Sequence, residues 1–417
     1  MCIHLFWQFQ SFMNFYLPRK KFQLNKPTFL IFILALLTRI LFNIFYVGID
    51  DVPVADALDY HQIALNLLNN GTYSSITRAP MMPFLITILY KFFGVHYFIV
   101  RIVLSIISAF TCVIVYKIAR KVFDEQTALI AAFISSIYWM MFFWSGFLLT
   151  ETLCTFFLTL AVLYLTKSVR HPSVRHFIYS GVSLGCSALA HALIFPFFLF
   201  IPLWSCISYK NNSKLALKSC SIILASMFLT ILPWVVRNYT VTGKFIPITT
   251  HSGGTFLGSN NPEVLKHFKG GWIHPVKSGL LNENEINTYM NHLSPEDASI
   301  LCWKKGINFV LKNPLFTLKL MFYKFKLFWH LNTDIRFPSL EYFFVLSFAI
   351  YGAAILIKNP ANVSILYLLP LFFTLMSLVF WGDDRIRSPL EPVLVIFSAY
   401  GISTILKKET NDGKTIL

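Results

Sequence analysis

The 417-residue chain is 56% hydrophobic, 17% aromatic and 13% charged, with a mean hydropathy of +0.62, against about 45–50% apolar and 25% charged in soluble domains. That composition excludes an ordinary soluble enzyme and predicts an integral membrane protein. The formal charge of +16 does not indicate a nucleic-acid partner, because the 35 Lys and Arg residues gather into no patch or arm and instead punctuate the ends of apolar runs.

Residues 1–26, which end in PRKKFQLNK, read as a cytoplasmic segment, and the apolar run after Lys26 is a full span with no small-residue cleavage site. A bilayer crossing takes about 20 apolar residues. That ruler predicts about ten spans, near 27–47, 97–119, 127–147, 150–166, 176–191, 192–209, 216–236, 338–357, 361–381 and 389–406. The basic loops PRKKFQLNK, KIARK, TKSVRHPSVRH and YKNNSKLALK and the tail KKETNDGK all fall on one side of that alternation, which identifies the cytoplasm. The segments 48–96, 237–337 and 381–389 are then external, and residues 407–417 form a cytoplasmic tail. Arg101, Lys117, Glu151 and His191 are the ionisable residues expected within spans, all near their ends, and no repeated halves with broken helices mark a transporter. Seven cysteines include no C-x-x-C pair, and the scattered histidines give no zinc spacing, so neither a metal nor a cofactor is expected.

In the first external segment, PVADALDYHQIALNLLNNGTYSSITRAPMMPF, the residues Asp56, Tyr60, Ile63, Ala64 and Leu67 recur at helical spacing. They predict an amphipathic helix on the membrane surface that ends at Asn70-Gly71. Asp56 in its first turn complements the helix dipole, worth about 0.3–1 kcal/mol. Asp59 lies about 60° around the helix from it and reads as the wet edge. Glu151, at the outer end of the fourth span, is costly unless paired or hydrated. It is either an ion-pair partner between helices or a second acidic group at a site. His191 reads as a satisfied core histidine.

Arg78, Arg101, Arg237, Arg385 and Arg387 all lie beside external helix ends. A single arginine there is an interfacial anchor that snorkels, whereas several aimed at one face fork onto phosphate. Gly253-Gly254 and Gly258 could cradle a phosphate, although the flanking strand-and-helix signature is absent. Ser294-Pro295-Glu296 starts a helix, and LFTLKLMFYKFKLFWHL reads as a basic aromatic helix at the headgroup level, which would add Lys324 or Lys326 to the clamp.

The order of these pieces resembles the GT-C membrane glycosyltransferases, in particular the bacterial family similar to protein O-mannosyltransferases and to the aminoarabinose transferase of lipid A. The resemblance runs over about 27–406 and rests on DALDY, RAPMMPFLITILYKFFG, LLTETL, LPWVVRNYTVTGKFIPITTHSGGTFLGSNNP and RIRSPLEP. Two departures are His191, where such families more often carry Arg or Lys, and the aspartate pair in GDDRIRSP.

The resemblance implies an all-α polytopic GT-C bundle in a bacterial cell membrane, with its catalytic face toward the periplasm or exterior. It also implies transfer of a hexosyl or pentosyl group, with inversion, from a polyprenyl-phosphate donor to a lipid, glycan or protein acceptor. Asp56 would be the general base with Tyr60 as its helix partner, and Asp59 and Glu151 would be candidate acidic helpers. Arg237, Arg385 and Arg387, backed by Arg78, Arg101 and Lys324, would bind the donor phosphate. The alternative reading is a multipass carrier or flippase for a lipid-linked saccharide.

Overall fold

The computed structural model describes residues 26–266, 271–331, 340–357 and 363–412, the last five by backbone alone. Almost all of the expected N-terminal segment and residues 413–417 of the tail lie outside the described residues. Among the described residues every regular element is helical.

Helix α1 (Lys26–Phe42) opens the bundle and ends in a widened turn over Asn43–Val47. The expected surface helix is α2 (Asp56–Asn70), with Tyr60, Ile63 and Ala64 buried and Asn66, Asn69 and Asn70 exposed. It stops at Gly71, whose φ of 67° is open to glycine and whose N–H bonds to the Leu67 carbonyl. Helix α3 (Met81–Phe93) packs back on α2, where the Thr87 hydroxyl donates to the Ala64 carbonyl at 3.3 Å.

The interior begins with α4 (Tyr97–Val122), α5 (Glu125–Ile137) and α6 (Trp139–Phe142). The expected span 127–147 is bent by 71° between α5 and the turn through Gly146. Tyr138 is extended at the break and leaves the last carbonyls of α5 without helical partners. Arg39 of α1 takes two of them, donating to Ser136 O at 3.0 Å and Ser135 O at 3.2 Å, and also donates to Met141 O of α6 at 3.3 Å. Arg39 is therefore an ionisable residue within a span beyond the four expected there. It is fully buried and tolerated because broken-helix carbonyls surround its guanidinium.

Next come α7 (Glu151–Arg170), α8 (Val174–Ala190), a tight turn run over Ala192–Leu199, α9 (Phe200–Ser208) and α10 (Ser213–Thr242). Gly181 and Gly185 let α8 approach α10 closely, since a Cβ on Gly181 would lie 2.0 Å from Ser226 Oγ. In lipid, such close approach of small residues holds helices together where hydrophobic burial gives little preference.

A polar segment then carries α11 (Ser252–Ser259), α12 (Glu283–Asn291), α13 (Pro295–Lys312) and α14 (Pro314–Phe328). Gly253 and Gly258 serve packing here: a Cβ on Gly253 would lie 2.1 Å from Ser299 O, and one on Gly258 would lie 2.2 Å from the Trp272 indole nitrogen. The chain closes with α15 (Leu340–Leu356), α16 (Ser364–Val379), the short α17 (Asp384–Arg387) and α18 (Glu391–Asp412).

Among the described residues each of the ten predicted spans overlaps a helix. Among the described residues five of the helical runs are long and apolar enough to cross a membrane unaided, and the bent pair makes a sixth if it is one span; Ala192–Ser208, Leu340–Leu356 and Ser364–Val379 are shorter apolar helices. The final run starts at Asp384 rather than 389, so Arg385 and Arg387 sit in the first turns of a helix and not in a preceding loop.

Candidate active site

The surface helix, the loop before α3, the start of α17 and the polar segment meet around a cavity of about 440 Å³. Asp56, Tyr60, Arg78 and Arg385 line one part of it, and His191, His251, Trp303 and Trp381 line others.

Asp56 sits in the first turn of α2, directly after Ala55, whose φ of 50° is strained for a residue with a Cβ. Its two oxygens are divided between two arginines. Arg78 Nη2 lies 2.6 Å from Asp56 Oδ1, and Arg385 Nη1 lies 2.7 Å from Oδ2. Each arginine also holds a second carboxylate. Arg78 reaches Asp59 Oδ2 at 2.6 Å through Nη2 and 3.1 Å through Nε, while Arg385 Nε donates to Glu151 Oε1. Glu151 is 1% exposed and Asp59 is 50% exposed, so one outer acid is a buried anchor and the other is solvated.

Burial alone would raise the Asp56 carboxyl, but Arg385 and then Arg78 outweigh it and hold the group down at about 2. Burial pushes Tyr60 up to about 12 and His251 down to about 4, the latter helped by Arg78. His251 is therefore neutral near pH 7. His191 Nδ1 accepts the Leu193 N–H at 3.3 Å, so in the neutral ring the proton sits on Nε2. Trp303 is fixed by stacking on Phe256, with centroids 4.3 Å apart, and by donating to Ser252 Oγ at 3.2 Å.

Of the six basic residues expected to clamp phosphate, Arg78 and Arg385 line this cavity. Arg237 braces the loop that carries Arg78: it donates to Ser75 O at 3.0 Å and to Tyr73 O, and lies 4.8 Å over the Trp234 ring. Arg101 is buried against Gly48 O at 2.7 Å and Asp51 Oδ2 at 3.1 Å. Arg387 is fully buried on Glu391 Oε1 at 2.7 Å, 4.0 Å over the Tyr342 ring. Lys324 is buried on Asn260 Oδ1 at 2.9 Å and Leu378 O at 3.2 Å, and desolvation pushes it down to about 7. These three, like Arg237, lie outside the cavity lining. Asp59, expected at the wet edge, is exposed as expected, yet it shares Arg78 with Asp56.

His251, Ser252, Trp303 and Trp381 also line the cavity; in the sequence the signal for the first two is the run THSGG within the longest motif, where His251 reads as one more scattered histidine. Among the described residues no cluster of three or more His, Cys, Asp or Glu residues is placed to hold a metal ion.

Residues 77–236, less than half of the chain, match the family model of dolichyl-phosphate-mannose-protein mannosyltransferases. That stretch contains Arg78, Glu151 and His191 and leaves out Asp56, Arg237 and Arg385. No curated protein matches the chain.

Among solved structures, the oligosaccharyltransferase of Archaeoglobus fulgidus tethered with an acceptor peptide aligns with a TM-score of 0.58 at 14% identity, over 92% of this chain and 50% of that one. The same archaeal enzyme, AglB, in complex with an inhibitory peptide and a dolichol-phosphate aligns at 0.58 and 13% identity, over 94% and 52%. ArnT from Cupriavidus metallidurans bound to undecaprenyl phosphate aligns at 0.46 and 10% identity, over 89% and 77%. The chain spans about half the length of the archaeal enzyme. It is a polytopic all-helical membrane protein with the GT-C-type fold of that oligosaccharyltransferase, and over residues 77–236 it carries the sequence pattern of the dolichyl-phosphate-mannose-protein mannosyltransferases.

Proposed function

We propose that the chain is a membrane glycosyltransferase that moves a sugar from a polyprenyl-phosphate-linked donor to an acceptor hydroxyl or amine, with Asp56 as general base. The observation that carries this reading is the Asp56 carboxylate set between Arg78 and Arg385 in the wall of a cavity that also presents Leu193, Phe195 and Ile248. A carboxylate, two guanidiniums and an apolar wall match an acceptor proton, a phosphate and a lipid tail. The family match over 77–236 and the dolichol-phosphate held by AglB support that donor class.

In the reaction, Asp56 takes the acceptor proton and the acceptor oxygen or nitrogen bonds to the anomeric carbon. The bond from that carbon to the phosphate oxygen breaks, and its electron pair leaves with the phosphate. Attack from the face opposite the phosphate inverts the anomeric configuration. Arg78 and Arg385 stabilise the charge that develops on the leaving group. Arg237 acts indirectly, through the loop that presents Arg78, and the distribution of Lys and Arg supports an external face for this chemistry.

The test is transfer of radiolabel from a polyprenyl-phosphate sugar to a cell-envelope acceptor extract by the purified chain in detergent. A carrier needs two membrane sides and gives no product under these conditions. Donor-dependent product in detergent supports the enzyme, and its absence across donor sugars overturns it.

A further inference from the structure

The ion pairs of the site form one chain of alternating charge: Asp59, Arg78, Asp56, Arg385, Glu151. Its members are not equivalent. Each arginine has a second carboxylate of its own, whereas among the described residues the Asp56 carboxylate has the two arginines as its only side-chain partners. Arg78 spends Nε and Nη2 on carboxylates and Arg385 spends Nε and Nη1, which leaves Arg78 Nη1 and Arg385 Nη2 without a protein partner among the described residues. Both arginines line the cavity. An anion entering it meets two free N–H faces on guanidiniums already fixed from behind.

We infer that Asp56 is the displaceable member of this chain: a phosphate group entering the cavity takes both guanidiniums from it, while Asp59 and Glu151 keep the arginines in place. This rests on the function proposed above and adds a device to it. With both oxygens engaged by arginines, Asp56 is a poor base in the empty site, and donor binding frees it. Acceptor activation therefore follows binding of the donor phosphate, which keeps the base idle while the phosphate site is empty.

The charges balance through transfer. Before reaction, two guanidiniums face one carboxylate and one singly charged phosphodiester. As the acceptor proton moves to Asp56 and the sugar–phosphate bond breaks, Asp56 becomes neutral and the phosphate monoester carries two charges. The same two arginines then face the same total charge, all of it on the leaving group. Release of the monoester and loss of the Asp56 proton to water restore the original chain.

The test is the affinity of the purified chain in detergent for polyprenyl phosphate and, separately, for inorganic phosphate, compared with Asp56→Asn and Asp59→Asn. If Asp56 competes with phosphate, Asp56→Asn binds polyprenyl phosphate about tenfold more tightly, a shift of about 1.4 kcal/mol, and Asp59→Asn shows no gain. The same gain with inorganic phosphate assigns the release to the phosphate group alone, and a gain confined to polyprenyl phosphate assigns it to the lipid ester. Unchanged or weaker binding by Asp56→Asn overturns the inference, as does an equal gain in Asp59→Asn, which would be a plain charge effect. Asp56→Ser supplies the same comparison if the asparagine variant does not fold. A wild-type chain that binds no polyprenyl phosphate overturns the donor class instead, so the two failures are distinguishable.

Discussion

Arg385 joins two carboxylates that are far apart in sequence: its Nη1 lies 2.7 Å from Asp56 Oδ2 and its Nε donates to Glu151. The first carboxylate sits on a surface helix and the second, 1% exposed, at the start of a membrane-spanning one. The arginine thereby fixes the position of α2 relative to the bundle and sets the electrostatics of the cavity with one side chain.

The two arginines of the RIR turn separate in function accordingly. Arg385→Lys keeps the charge and loses the fork that spans Asp56 and Glu151, so the KM for the lipid donor should rise about tenfold or more with a small change in Tm. Arg387→Lys leaves the cavity untouched and disturbs a buried pair with Glu391. It should lower stability by about 3–5 kcal/mol if the pair is lost while the donor KM of the folded fraction stays near wild type. Steady-state kinetics and thermal melting on both variants check the split, and equal effects on donor KM contradict it.

Acid stability should show two windows with definite signs. Asp56 is held at about 2, below its ordinary value, so its stabilisation is present above about pH 4 and is lost as pH falls from there toward 2. His251, lowered to about 4 from an ordinary value of about 6.5, must take up a proton on unfolding, so stability falls between about pH 6.5 and 4. Melting curves between pH 7 and 4 should be flatter for His251→Gln than for wild type, and below pH 4 flatter for Asp56→Asn. Parallel curves would contradict both shifts.

Orientation has its own check. Asn70, at the end of α2, and Asn282, before α12, are both exposed. Single cysteines at these positions, in a background without the native cysteines, should react with an impermeant thiol reagent in intact cells. Labelling only after permeabilisation would reverse the external assignment.

Much of the bundle was legible because apolar runs of span length, bounded by Lys and Arg, admit few other structures in lipid. The break at Tyr138 was not, since no Pro or Gly marks it; the compensating Arg39 comes from another helix and went unnoticed. In the site, Asp56 stood out in the first turn of an amphipathic helix, and Arg78 and Arg385 stood out beside external helix ends. Which arginines converge was hidden, because Arg385 and Arg387 differ by about 200° around a helix and one faces the cavity while the other faces Glu391. The NNP of the longest motif also illustrates the limit. Asn261 caps the turn at Glu263 and Val264, and Asn260 holds Lys324, so its distinctive sequence serves local folding rather than the cavity.

The most direct test of the account is turnover by Asp56→Asn in detergent with a labelled polyprenyl-phosphate sugar, measured per folded molecule at saturating donor. Loss of the base predicts a fall of about 10²–10⁴ with donor binding no weaker than in wild type, and Asp59→Asn measured alongside should lose far less. Near-normal turnover by Asp56→Asn, with only its melting temperature shifted, would reduce Asp56 to a helix-terminus carboxylate and contradict the mechanism.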